Sequence, residues 1–214
     1  MGRTSQAIFA ASGSLVDTAI PINLVATLLQ TGPQGQPGTP AASGNRVLLT
    51  SQTVSTPVSQ VFFAYTFTNL YDIYEFDIYG LLPDTNSVNL YGRCSLDGST
   101  VDSSTNYQVG QVYGTSGNTG GSGGSAGNAQ MIFASGLGNT ATYNNYMKLT
   151  MVQPWATDRW KYFLAEFGGQ WTVGVTALLG SNIYINTGQL RGISFFPSSG
   201  NITRGTFRLY GIQI

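Results

Sequence analysis

Tyr71-Asp-Ile-Tyr-Glu-Phe-Asp-Ile-Tyr79 alternates between two faces. Tyr74, Phe76 and Ile78 fall on one side and Glu75 and Asp77 on the other, the period-two pattern of a half-buried strand. Downstream, Val88, Leu90, Cys94 and Leu96 share a face, opposed by Asn89, Arg93, Ser95 and Asp97. The intervening Leu81-Leu-Pro-Asp-Thr-Asn-Ser87 is a turn cluster, so the two runs read as a hairpin or an adjacent antiparallel pair. Symmetry about Asp84 sets Glu75 opposite Arg93, an outer-face pair that would contribute at most about 1 kcal/mol.

The same pattern extends in both directions. Strands are expected at 59–69, 107–113, 131–135, 146–152, 160–167, 192–196 and 206–212, separated by Gly- and Asn-rich turns. No helical period appears after residue 30. The expected fold is all-β, an antiparallel jelly-roll-like sandwich over residues 46–214. Residues 1–45 read as an arm: Ile20, Leu24, Val25, Leu28 and Leu29 fit a short helical stripe, and the Pro/Gly-dense segment 31–45 is irregular. The segment 114–128 holds no apolar side chain larger than Ala and reads as a flexible loop between strands.

Composition bears directly on function. The 214 residues include no His and a single Cys, and only 8% are charged against roughly 25% in an average soluble domain. With no His, Ser-His-Asp, Cys-His and His-metal constellations are absent, and little titrates near neutral pH. Carboxylate pairs remain to be weighed among Asp72, Glu75, Asp77, Asp97, Asp102, Asp158 and Glu166. Glu75 and Asp77 share one strand face, but with Arg93 opposite they read as a solvated or partner-facing surface. Ser95-Leu-Asp-Gly-Ser-Thr-Val-Asp-Ser-Ser104 resembles a calcium loop only superficially, lacking its alternating acids and distant Glu, and reads as an Asp-Gly turn. No catalytic, cofactor or metal residues are assigned, and no cofactor is expected.

The nine bases and nine acids give a formal net charge of +0. The bases are scattered singly, which argues against nucleic-acid binding. No apolar run approaches the roughly 20 residues of a membrane span, and the N-terminus lacks the apolar core of a secretory signal. Few surface charges keep copies apart, so assembly into a homo-oligomer is expected. Two Gly-x-y triplets within 32–38 suit an extended arm near a three-fold axis. Trp155, Trp160 and Trp171 fall within one stretch and suit a core, a subunit interface or a glycan platform.

Several motifs carry a resemblance. Tyr71-Asp-Ile-Tyr-Glu75 through Leu82-Pro83, then Leu90-Tyr-Gly-Arg-Cys-Ser-Leu-Asp-Gly-Ser-Thr100, then Asn106-Tyr107, and the ending Ser199-Gly-Asn-Ile-Thr-Arg-Gly-Thr-Phe-Arg-Leu-Tyr-Gly-Ile212, resemble a pattern of small bacteriophage and prophage virion proteins. The resemblance covers residues 58–214. Leu96 stands where Thr is common, and the 114–128 segment is unusually Gly-rich. The family implies tail-fibre, tailspike or capsid-decoration components, jelly-roll-like and often trimeric, with no catalytic residue to carry over. The expectation is a non-enzymatic protein of the virion surface, most simply a capsid decoration or cement protein. It would dock on the major capsid protein or other virion proteins through an arm that includes Ile8, Phe9, Ile20, Leu24 and Leu28. The alternative is a tail module that recognises a host-surface glycan.

Overall fold

The computed structural model describes residues 46–117, 119–171 and 174–213. The arm residues Ile8, Phe9, Ile20, Leu24 and Leu28 lie outside them.

Twelve strands form two antiparallel sheets packed face to face. The larger sheet contains β1 (Arg46–Val54), β3 (Ile73–Pro83), β5 (Tyr107–Thr115), β6 (Gly120–Asn128), β8 (Asn145–Val152), β9 (Lys161–Trp171), β10 (Gly174–Tyr184) and β12 (Ile202–Ile212). Its spatial order is β1-β12-β3-β8-β9-β10-β5-β6. The smaller sheet contains β2 (Val61–Ala64), β4 (Val88–Ser95), β7 (Met131–Leu137) and β11 (Gly192–Pro197), in the order β2-β11-β4-β7. The pairs β1–β12, β2–β11, β3–β8 and β4–β7 are nested like the rungs of one long hairpin, and successive rungs alternate between the sheets. That rolled hairpin is the jelly roll. Two hairpins, β5–β6 and β9–β10, are inserted into it and lengthen the larger sheet only.

Alternation explains the core. Tyr74, Phe76 and Ile78 of β3 are fully buried, as are Leu90 and Cys94 of β4. Phe195 of β11 packs its ring against Phe63 and Phe133 from its own sheet and against Phe76 and Phe207 from the other, at centroid distances of 5.0–6.3 Å. Phe133 lies across Gly92, where an added Cβ would sit 2.1 Å from its ring.

Three expectations are corrected. First, β3 and β4 are not a pair: β3 lies between β12 and β8, and β4 lies between β11 and β7 in the other sheet. Both edges of β3 are taken, and the turn that follows is pinned away from it. There Asp84 accepts hydrogen bonds from the Asn201 N–H and side-chain amide, and Ser87 adopts a φ of 58°. Glu75 therefore meets Arg46 and Lys148, not Arg93, which donates to the Ala129 carbonyl and to Gln130. Second, the 114–128 segment is not a loop: Gly120–Asn128 is an edge strand paired with β5. A ladder needs only backbone N–H and C=O groups, which glycines supply, while the lack of side chains keeps the strand out of the core. Third, β10 falls outside the expected strands, although it pairs along its whole length with β9 and from Thr176 to Tyr184 with β5.

Where the larger sheet outgrows the smaller, Asn182 of β10 joins them. Its side chain is fully buried, accepts from the Ile132 N–H and donates to the Ile132 carbonyl, both at 3.1 Å, so it stands in for a neighbouring strand at the edge of β7. Asn182→Ala leaves both backbone groups unpaired and is expected to lower stability by about 2–6 kcal/mol, taking roughly 1–3 kcal/mol for each group. Urea unfolding followed by tryptophan fluorescence measures the loss.

Candidate functional site

The two inserted hairpins leave the larger sheet with surface that the smaller sheet does not cover. Alternation then gives that extension two different faces.

On the inner face, Gln111, Tyr113 and Thr115 of β5 and Thr176 of β10 look toward the rim of the smaller sheet, where Asn89 and Ser135 stand. Together they line a cleft of about 300 Å³. Among the described residues no charged side chain lines it. Asn89 Oδ1 accepts from the Gly136 N–H. Gln111 Oε1 and Thr176 Oγ1 are buried with no hydrogen-bond partner. Tyr113 reaches over Gly121 of β6, where a Cβ would come within 2.9 Å of its hydroxyl.

On the outer face, register brings apolar side chains into rows: Val152 beside Tyr162, and Leu179 beside Val112. Leu164, Val175 and Tyr146 join them, and these seven residues are 42–54% exposed. A shallow groove of about 440 Å³ runs between Tyr146 and Val112, floored by Gly168, Ala177 and Gly114. On the same face, toward β1, Arg46 contacts both Glu75 (3.0 Å) and Asp77 (2.8 Å), Lys148 contacts Glu75 at 2.7 Å, and Arg46 also covers the Tyr210 ring. These neutralised pairs bound the apolar area on one side.

The carboxylates weighed from the sequence are mostly engaged in holding turns and registers. Asp97 accepts from the N–H groups of Thr100 and Ser99 and from the Ser95 hydroxyl, which hold its carboxyl well below the usual range. Burial opposes ionisation of Asp102, but hydrogen bonds from Ser104, Tyr184 and Asn106 outweigh it and bring the carboxyl down to about 2. Asp158 pairs with Arg159, and Asp72 accepts from Gln153. Among the described residues no group of three or more His, Cys, Asp or Glu side chains is placed to hold a metal ion. Cys94 is fully buried, and burial pushes its thiol up. Lys161 is also buried, with its ammonium donating to the carbonyls of Ala156, Arg159 and Thr187, and burial lowers its pKa.

The tryptophans do not converge. Trp155 is half-buried against the core and donates to the Tyr71 carbonyl at 3.0 Å. Trp160 is exposed just before β9, and Trp171 ends that strand, about 3.3 Å per residue away along its length. Neither Trp155 nor Trp160 lines the inner cleft. Its residues Gln111, Tyr113 and Thr176 went unnoticed in the sequence, although Gln111 carried a signal. It occupies a core-facing position of an alternating strand, in line with Tyr107 and Val109, where an apolar residue is expected.

No family model, curated protein or solved structure matches this chain.

The depressed carboxyls set the pH response. Asp102 is ionised in the folded protein down to about 2 and loses its charge nearer the ordinary 3.8 when unfolded. Its stabilising effect is therefore complete above that ordinary value and disappears as pH falls toward 2. Melting temperature should be level between about pH 6 and 8, where almost nothing titrates, and should drop below about pH 4. Asp102→Asn should flatten part of the acid drop, as measured by thermal denaturation across a buffer series.

Proposed function

We propose that this chain is a non-enzymatic structural protein of a bacteriophage particle surface, a decoration or cement subunit that acts as a homo-oligomer. The observation that carries the reading is the exposed apolar outer face of β8, β9, β10 and β5, where Tyr162 lies beside Val152 and next to Leu164 along β9, Leu179 lies beside Val112, and Val175 stands farther along β10 beyond Ala177. Monomeric proteins seldom leave such a contiguous face in water. A second copy of this chain suits it: the groove in the face is lined by one charged residue, Glu166, in register with Lys148, the charges toward β1 are already paired, and a net charge of +0 opposes no self-contact. The jelly roll hosts viral capsid and lectin domains among others, which supports the class by fold analogy alone. The virion setting rests on the motif resemblance in residues 58–214, and the three-fold state follows from the same source. The absence of His and the engagement of Asp97, Asp102 and Asp158 favour a part built for persistence over a catalyst.

Residues 1–45 are assigned the docking role, with Ile8, Phe9, Ile20, Leu24 and Leu28 as anchors on the major capsid protein or its neighbours. Residues 44–214 form a compact unit of their own, so removing the arm should leave a folded domain.

Two experiments test these assignments. By multi-angle light scattering, the wild-type chain should be oligomeric and the pair Leu164→Glu, Leu179→Glu should be monomeric with its circular dichroism unchanged; a monomeric wild-type chain would contradict the assembly face. In particles purified from cells carrying the complete set of virion genes, the full chain should co-sediment and a chain lacking residues 1–45 should not. Equal recovery of the truncated chain removes the arm's role, and absence of the full chain removes the virion assignment.

A further inference from the structure

Burying a polar oxygen without a partner costs about 1–3 kcal/mol, so such atoms are sparse in folded proteins. Among the described residues four side-chain oxygens or nitrogens are in that state, and two of them, Gln111 Oε1 and Thr176 Oγ1, line one cleft. Thr176 is only 4% exposed. The two stand on adjacent strands, β5 and β10, where Thr176 is in register with Thr115. Their occurrence together in a cleft where the sandwich is left open needs an explanation other than loose packing.

The chemistry of the lining narrows what would complete them. Gln111 Oε1 can only accept, so its partner must bring an O–H or N–H; Thr176 Oγ1 can donate or accept. An apolar ligand would leave both unpaired. A phosphate, carboxylate or ammonium ligand would find no charged side chain among those that line the cleft. What the cleft offers besides neutral polar groups is one aromatic surface: Tyr113, 41% exposed, with its ring free to lie over β6 because Gly121 has no side chain. An apolar ring face in one cleft with amide and hydroxyl groups, Gln111 four register positions from Thr176, matches a pyranose, whose C–H face stacks while its hydroxyls bond. The volume of about 300 Å³ accommodates one sugar ring with some water.

We infer that the cleft between β5, β10 and the rim of the smaller sheet binds a neutral saccharide unit, a hexose or N-acetylhexosamine, stacked on Tyr113 and hydrogen-bonded to Gln111 and Thr176. Alternation on β5 and β10 turns Tyr113 and Thr176 to one face and Val112 and Leu179 to the other, so a second copy on the outer face leaves the cleft open. Binding here depends on the domain alone and is separable from the virion assignment.

The test is an NMR titration of the full chain with methyl glucoside, galactose and N-acetylglucosamine, with N-acetylneuraminic acid and glucose 6-phosphate as charged comparisons. At least one neutral sugar should shift the Gln111 side-chain amide, the Tyr113 ring and the Thr176 methyl. Thr176→Val removes an unpaired hydroxyl, so it should melt no lower than wild type while weakening that sugar at least about tenfold, about 1.4 kcal/mol. Gln111→Leu and Tyr113→Ala should weaken it comparably, with folding checked by the same spectra. The inference is overturned if no neutral sugar shifts these resonances, as a cleft holding only water would give, if a charged sugar binds better, or if Thr176→Val and Gln111→Leu, folded, bind as the wild type does.

Discussion

The packing of Phe195 against rings from both sheets is the contact on which the remaining architecture depends. Each sheet buries one face only, and the faces meet where Phe195 touches Phe76 and Phe207 across the sandwich and Phe63 and Phe133 beside it. Truncating a buried Phe costs about 3–5 kcal/mol, a large share of the stability of an ordinary domain. The centre is made of aromatic rings with almost no polar atoms, which fits a chain with so few charges to arrange in pairs. Tyr107 is buried with its polar group matched: it stacks on Tyr184 at 4.9 Å while its hydroxyl accepts from the Cys94 N–H and donates to the Asp102 carbonyl.

The strand count on the two sides is unequal, eight against four, and this inequality generates every candidate functional surface. A symmetric jelly roll of four strands facing four would have left β8 and β7 as matching edges. The insertion of β5–β6 and β9–β10 on one side forces β10 to find something to cover it. Asn182 solves part of that by bonding the Ile132 backbone, and farther out on β10 the rim of the smaller sheet faces Thr176 across an open cleft. There the inner face becomes the cleft with Gln111 and Thr176, and the outer face becomes the apolar area around Leu179.

What was legible in the sequence was which side chains share a face. Tyr74, Phe76 and Ile78 are buried together because alternation is a local property of extended backbone. Which strands become neighbours was not legible, since β3 pairs with β8 and β12, far away along the chain, and its following strand enters the other sheet. The Glu75–Arg93 pairing failed for that reason, and Arg46, which bridges Glu75 and Asp77, came from β1, two strands away from β3 in the same sheet. The cleft was hidden in the same way. Its wall combines Gln111, Thr176 and Asn89, which no window on the sequence holds at once. The jelly-roll class itself was reached through many short strands and the motif resemblance, and the nested pairings show it directly.

The Gly-rich strand β6 is the element where composition misled most, and its physical role follows from what it lacks. A strand with ordinary side chains next to β5 would put a Cβ against the Tyr113 hydroxyl at Gly121 and against the Val109 carbonyl, 3.0 Å away, at Gly124. Glycine at these positions lets β6 approach closely and complete the hydrogen-bond ladder of β5 without adding bulk to either face. The cost is conformational: glycine loses more backbone freedom on ordering than any other residue. Such a strand holds only while the neighbour it pairs with is fixed, and β5 is fixed by β10 through a continuous register from Tyr107–Tyr184 to Thr115–Thr176. Order therefore passes outward from the aromatic centre through β9 and β10 to β5 and last to β6. The surfaces at the end of that chain, Tyr113 above all, are the ones whose position depends most on every strand behind them.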